Sequence, residues 1–254
     1  MMEKSFVDPS VDSDAVRERL ALDNLNRIEE RIALACASAG RKREDVTLLA
    51  VTKTVPPPPI NAVIGAGVTH IGENRVQEYL GKRDALRLEG VDVHMIGRLQ
   101  TNKVRQIVGK VSMIESIDSF RLAEAVSRAS LQQENTGKLP RGCTEVLVEV
   151  NIGGEEQKAG VTPNKLEELL CQMALLPGIR VRGLMTIPPV LTEPKEQRRV
   201  FSQMYKLFID IKGKNIDNIG MDILSMGMSS DYEQAILEGA TLVRIGSALF
   251  GRRL

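Results

Sequence analysis

The chain has 254 residues, with 34 Lys and Arg against 33 Asp and Glu and a formal net charge of +1. That balance excludes electrostatic capture of nucleic acid, which needs a clustered basic surface; the one basic run, "GRKRED" at 40–45, is diluted by Glu44 and Asp45. The scattered Cys36, Cys143 and Cys171 exclude a disulfide framework or a zinc site, and no stretch approaches the run of about 18 apolar residues that a membrane span needs.

The opening "MMEKSFVDPSVDSD" lacks the apolar centre of a signal peptide, so a cytoplasmic protein without metal or membrane span is expected. Residues 1–12 read as a flexible segment and 13–254 as a single domain. Leu22, Leu25, Ile28, Ile32 and Cys36 recur at helical spacing, and Gly40 is the expected stop. "VTLLAVTK" (46–53) is the first strand, with Lys53 at its carboxyl end on the face of Val51 and Leu49. The prolines after it lack an N–H and disfavour a helical residue before them, so the strand ends near Val55.

From there strand and helix alternate. "INAVIGAG" (60–67) is a helix, "VTHIG" (68–72) a strand, "NRVQEYLGKRDAL" (74–86) a helix and "VDVHMIG" (91–97) a strand. "TNKVRQIVGK" (101–110), "VSMIESI" (111–117), "SFRLAEAVSRASLQQ" (119–133) and "TEVLVEVNI" (144–152) continue the pattern, and Thr162–Pro163 opens the next helix. The sixth strand spans 179–187, a helix runs from Pro194 to Ile211, and strands at 221–227 and 240–246 enclose the helix "SDYEQAILEGA". Eight strands, each followed by a helical stretch in one chain of this length, predict an α/β fold: a single (β/α)8 TIM-type barrel with an extra N-terminal helix. The alternative, an open doubly wound sheet, usually carries a glycine fingerprint after its first strand, and "TKTVPPPP" is not one.

Such barrels build their sites at the carboxyl ends of the strands. Those ends hold Lys53, "GEN" (72–74), "HMIGRLQTNK" (94–103), "NIGGEEQKAG" (151–160), "MTIPP" (185–189), "SMGMSSD" (225–231) and "RIGSALFG" (244–251). Glycines and the hydroxyls of Ser225, Ser229 and Ser247 after strands seven and eight suit a phosphate cradle, with 247–250 as its short helix; plain caps and turns are the alternative. Lys53 is either a surface charge or, partly desolvated, a neutral amine that forms Schiff bases with aldehydes. A lysine facing a phosphate cradle suits a phosphorylated sugar or pyridoxal phosphate. Arg244, a cation that does not readily lose its proton, fits an unprotonated pyridine nitrogen; a phosphate contact or a salt bridge is its other reading.

The stretches "LLAVTKTVPP", "HIGENRVQE", "HMIGRLQTNK", "RGLMTIPP" and "LSMGMSSDYEQAILEGATLVRIGSALFG" resemble the YggS/PROSC family of pyridoxal phosphate homeostasis proteins, from about residue 15 to 251. The resemblance implies the barrel of the N-terminal domain of alanine racemase and pyridoxal 5'-phosphate carried as a Schiff base on Lys53. It places Asn74 beside the cofactor, Met226 among the cofactor-binding residues, Ser225, Ser229, Gly246 and Ser247 on the phosphate, and Arg244 at the ring nitrogen. His94, Met185 and Lys158 are secondary candidates, Lys158 for transient contact during loading or release. Where the family has Trp-His-Phe-Ile-Gly, this chain has "VHMIG", with Val93 and Met95 replacing the aromatic residues.

Two classes of function then compete: a carrier serving vitamin B6 homeostasis, with no catalytic residue and with apo-enzymes as candidate recipients, or an amino-acid racemase or decarboxylase. Racemases of this fold complete their site with a second domain and a partner's tyrosine, and the last strand here lies close to the chain's end. Tyr79, Tyr205 and Tyr232 all fall within expected helices. An arginine at the ring nitrogen also weakens the ring as an electron sink. The carrier is therefore expected, and a Schiff-base aldolase acting on a phosphosugar is the remote third reading.

Overall fold

The computed structural model describes residues 9–134, 143–155 and 157–251; residues 1–8 of the expected flexible segment lie outside the described residues. The elements run α1 (Pro9–Ser38), β1 (Thr47–Val51), α2 (Pro57–Gly65), β2 (His70–Glu73), α3 (Val76–Lys82), β3 (Asp92–Met95), α4 (Val104–Ile107), β4 (Met113–Ile117) and α5 (Phe120–Glu134). They continue with β5 (Thr144–Glu149), α6 (Pro163–Ala174), β6 (Ile179–Met185), α7 (Pro194–Gly213), β7 (Ile219–Met228), α8 (Tyr232–Leu237), β8 (Leu242–Ile245) and α9 (Ser247–Phe250). The strands close in sequence order into a parallel barrel, β8 pairing back onto β1. This is the expected (β/α)8 architecture with its extra N-terminal helix.

Parallel strands covered on both faces read as near-continuous apolar runs. Leu48, Ala50, Ile71, Ile114, Val146, Val148 and Val243 point outward and join the helices in one large core. The barrel interior is filled differently. Leu49, Val51, Ile96 and Leu242 form one apolar cluster, and Met113, Leu147 and Met185 another. Buried polar side chains, including His94, Glu115, Ser225 and Arg244, share the barrel with these two clusters. Helix α1 packs across α2, α8 and α9, and Asn24 Nδ2 donates to the Leu249 carbonyl at 2.9 Å.

Two boundaries differ from expectation, and both matter for the site. Strand β1 ends at Val51, and the prolines open α2 instead of merely stopping the strand: Pro56 is the cap and Pro57 the first helical residue. Proline suits that position because its fixed φ is already helical and the first-turn N–H has no helical partner to lose. Strand β7 spans Ile219–Met228, beginning two residues before and ending one residue after the expected 221–227, with Ser225 inside it.

Candidate functional site

The mouth is built from the turn after β1. Lys53 is half-buried two residues beyond the last residue of that strand. The next residue, Thr54, has φ 61°, a costly conformation for a β-branched side chain that persists only where its surroundings impose it. Those surroundings are identifiable. Lys82 Nζ donates to the Thr52 carbonyl at 2.7 Å and pairs with the fully buried Glu73 at 2.9 Å. The Thr52 hydroxyl donates to the same Glu73 carboxylate, and the Thr54 N–H donates to Glu78. Burial pushes the Glu73 carboxyl above its ordinary value, against the pull of Thr52 and Lys82. Helix α3 therefore grips the backbone on both sides of Lys53.

On β8, the strand that pairs directly with β1, Arg244 is 4% exposed and anchored from below. Its Nη1 donates to Ser225 Oγ at 2.7 Å and its Nη2 to the Thr186 carbonyl at 2.8 Å. The Ser225 hydroxyl in turn donates to Glu115 Oε2 at 2.6 Å, and His94 Nδ1 meets Glu115 Oε1 at 2.6 Å. Burial alone would raise the Glu115 carboxyl, but His94, Arg244 and Ser225 outweigh it and hold it below the usual carboxylate value. Desolvation lowers the Arg244 guanidinium, opposed by the charges of Glu115, Glu149 and Asp231.

The loops after β7 and β8 meet at one hydroxyl. Ser229 Oγ accepts the N–H groups of Gly246 and Ala248, both at 3.1 Å, where α9 begins. Gly227 has φ 90°, and a Cβ there would stand 2.6 Å from Ala235 Cβ, so glycine alone lets β7 turn into this loop. Asp231 closes the turn by accepting the Met228 N–H at 2.6 Å.

On the remaining wall Asn74 follows β2, its carboxamide oxygen buried with no hydrogen-bond partner. Gly97 supports it from behind: a Cβ on that residue would lie 2.3 Å from the Asn74 carbonyl oxygen. An unpaired buried acceptor is costly, and a ligand bearing a hydroxyl would supply its donor.

Lys53, Asn74, Arg244, Ser229, Gly246 and Ser247 therefore all belong to this end of the barrel. Several other expected residues do not. The Ser225 hydroxyl is engaged by Glu115 and Arg244 inside the barrel. The Met226 side chain is fully buried in the outer core, which leaves only its backbone toward the barrel. Met185 packs in the interior with Met113 and Leu147. His94 sits deeper than expected and, with His70, Asp92 and Arg182, lines a cavity of about 640 Å³ at the amino ends of the strands. Lys158 ties two mouth loops together, 2.8 Å from Glu155 and donating to the Pro188 carbonyl at 3.3 Å.

Two acids escaped sequence reasoning. Glu115 and Glu149 point into the barrel from β4 and β5, and both are buried. Burial first and Asp118 second push the Glu149 carboxyl up to about 7, against Arg244 and Arg98. The signal was present: a charged residue inside a strand otherwise buried on both faces points into the barrel and needs a partner there.

The sequence matches the family profile described as alanine racemase, N-terminal domain, over residues 24–253. It is 44% identical over 233 residues to a pyridoxal phosphate homeostasis protein of Aquifex aeolicus, covering 92% of this chain and 98% of that one. A protein of the same name from Escherichia coli is 39% identical over 233 residues, covering 91% and 95%. Among solved structures, an unknown protein from Bifidobacterium adolescentis superposes with a TM-score of 0.83 at 37% identity, over 97% and 98% of the two chains. PipY of Synechococcus elongatus, solved with PLP bound, gives 0.73 at 34% identity over 87% and 100%.

Proposed function

We propose, for a chain that belongs to the pyridoxal phosphate homeostasis protein family, that it binds pyridoxal 5'-phosphate in this mouth through a Schiff base on Lys53. The residues present fit the group. Lys53 is the amine, and as its neutral form it condenses with an aldehyde, forming C=N and releasing water. Ser229, Gly246 and Ser247 hold the phosphate, where small residues and the start of α9 let an anion approach the backbone. Arg244 faces the ring nitrogen, Asn74 lies beside the ring, and Ser225 orients Arg244 instead of holding phosphate.

When bound, this cofactor supplies an electrophilic ring system that stabilises carbanions; a fixed guanidinium at its nitrogen withholds the proton that would strengthen that capacity. The observation that carries the reading is the buried Arg244, fixed at its two terminal nitrogens by Ser225 and Thr186. A ring so weakened as an electron sink favours a carrier serving intracellular vitamin B6 homeostasis over a decarboxylase; a racemase would need acid and base groups on both faces of the ring to compensate. Delivery to pyridoxal phosphate-dependent apo-enzymes is the use expected of such a carrier.

The test begins with the purified protein. It should absorb visible light, keep the cofactor covalently after borohydride, and carry the added mass on the Lys53 peptide; Lys53→Ala should do none of these. A reducible adduct that survives in Lys53→Ala overturns the assignment. Incubation with L- and D-amino acids should give no substantial racemised or decarboxylated product, and turnover on the order of 10 per second would establish an enzyme instead.

A further inference from the structure

A buried polar chain runs down the barrel from Arg244 through Ser225 and Glu115 to His94, each link a hydrogen bond of 2.6 or 2.7 Å. Its members are 0–4% exposed. Charged groups this deep persist only when each is paired, because leaving one without its partner strands an unsolvated charge. In the chain, Glu115 is the sole carboxylate hydrogen-bonded to both sides, one oxygen to His94 and the other to the hydroxyl that holds Arg244. Ser225 can donate only one hydrogen; giving it to Glu115 turns its lone pairs toward Arg244 Nη1. Without that acceptor the hydroxyl is free to rotate, and the guanidinium keeps Thr186 as its other fixed contact.

We propose that Glu115 is a positioning residue: acting through Ser225, it sets the direction in which Arg244 presents its guanidinium to the ring nitrogen of the bound cofactor. This rests on the reading that pyridoxal phosphate binds in the mouth with Arg244 at that nitrogen. His94 fixes the other oxygen of Glu115 and carries the chain to the cavity at the amino ends of the strands, where it stands edge-on to His70 with ring centres 5.5 Å apart. The role of Glu115 is specific. It concerns the ring nitrogen: among the described residues, the hydrogen bonds that hold Ser229 and Lys82 run to Gly246, Ala248, Thr52 and Glu73 and not to this polar chain.

That specificity supplies the experiment. Dissociation constants are measured for pyridoxal phosphate and for its analogue with carbon in place of the ring nitrogen, in the unaltered protein, Glu115→Gln and Ser225→Ala. Folding of each variant is followed by circular dichroism. The unaltered protein should prefer the natural ligand by about tenfold, the size of one charge-assisted hydrogen bond. In both variants that preference should shrink below about threefold, chiefly through weaker binding of pyridoxal phosphate, while both ligands still give a borohydride-reducible adduct on Lys53. Should Glu115→Gln fail to fold, Ser225→Ala carries the comparison. Equal weakening of the two ligands would mean a merely structural role and overturn the proposal, as would an unchanged preference. A protein that forms the Lys53 adduct yet shows no preference between the ligands overturns the Arg244 placement and with it the role of Glu115, while the binding reading stands; absence of any adduct removes the binding reading itself.

Discussion

At the scale of single residues, the interior of this barrel is shaped by the cost of placing charge where water is scarce. Glu149 shows it most directly. Its carboxyl is raised from an ordinary 4.5 to about 7, so the folded state keeps a proton that the unfolded chain loses. Below pH 4.5 both states are protonated and the residue has no pH-dependent effect. As pH climbs through 7, stability falls, by about 3 kcal/mol at the alkaline end, taking 1.36 kcal/mol per unit. Glu149→Gln should therefore be more stable than the unaltered protein at pH 8.5 and nearly equal to it at pH 4.5, as judged by urea midpoints without ligand. A difference that stays constant with pH would show that Glu149 does not titrate in this range. Glu115 behaves oppositely, because His94, Arg244 and Ser225 all meet its charge. Environment, not residue type, separates the two acids.

At the scale of elements, the short turn after β1 is positioned by a helix and not by its own sequence preference. Helix α3 sends Lys82 to the Thr52 carbonyl and to Glu73, and this grip stabilises Thr54 in a backbone region it would otherwise avoid. Lys82→Met leaves the Glu73 carboxyl buried with Thr52 as its neutral partner. The expected loss is about 3 kcal/mol in urea unfolding. Glu73→Gln with Lys82→Met should cost less than the sum of the two single changes, since the pair is coupled. Additive losses would show that the ammonium and carboxylate do not act together.

At the scale of the whole molecule, α1 belongs to the barrel's shell. Ile32 is fully buried, and Ala21, Leu25 and Ile28 join it in the outer core with the helices around the β8–β1 seam. Ile32→Ala should lower stability by about 3 kcal/mol, the usual cost of a buried cavity of that size. The loss should appear as one cooperative transition followed both by far-ultraviolet circular dichroism and by a cysteine-reactivity probe of buried Cys36. A separate early transition confined to α1 would make it a detachable appendage.

Much of this was legible in the residues. Apolar runs bounded by glycine and proline predicted all eight strands within a few residues, and their alternation with amphipathic helices leaves a closed parallel barrel as the compact solution. Lys53, Asn74, Ser229, Gly246 and Arg244 were identifiable because strand-end residues of a barrel converge at one mouth. The proline run was misread in part, since the same locked φ that ends a strand also starts a helix. Facing direction and depth inside the barrel depended on where each strand stopped and on its register with both neighbours. The Ser225 hydroxyl points to the interior because its register in β7 sets it between Glu115 and Arg244. Glu115 and Arg244 lie more than a hundred residues apart in the chain, and the single serine bonded to both exists only once β4, β7 and β8 close around the same axis. Local pattern determines which segments become strands; which polar atoms meet inside is decided by closure, because hydrogen bonds depend on ångström distances that no spacing along the chain encodes.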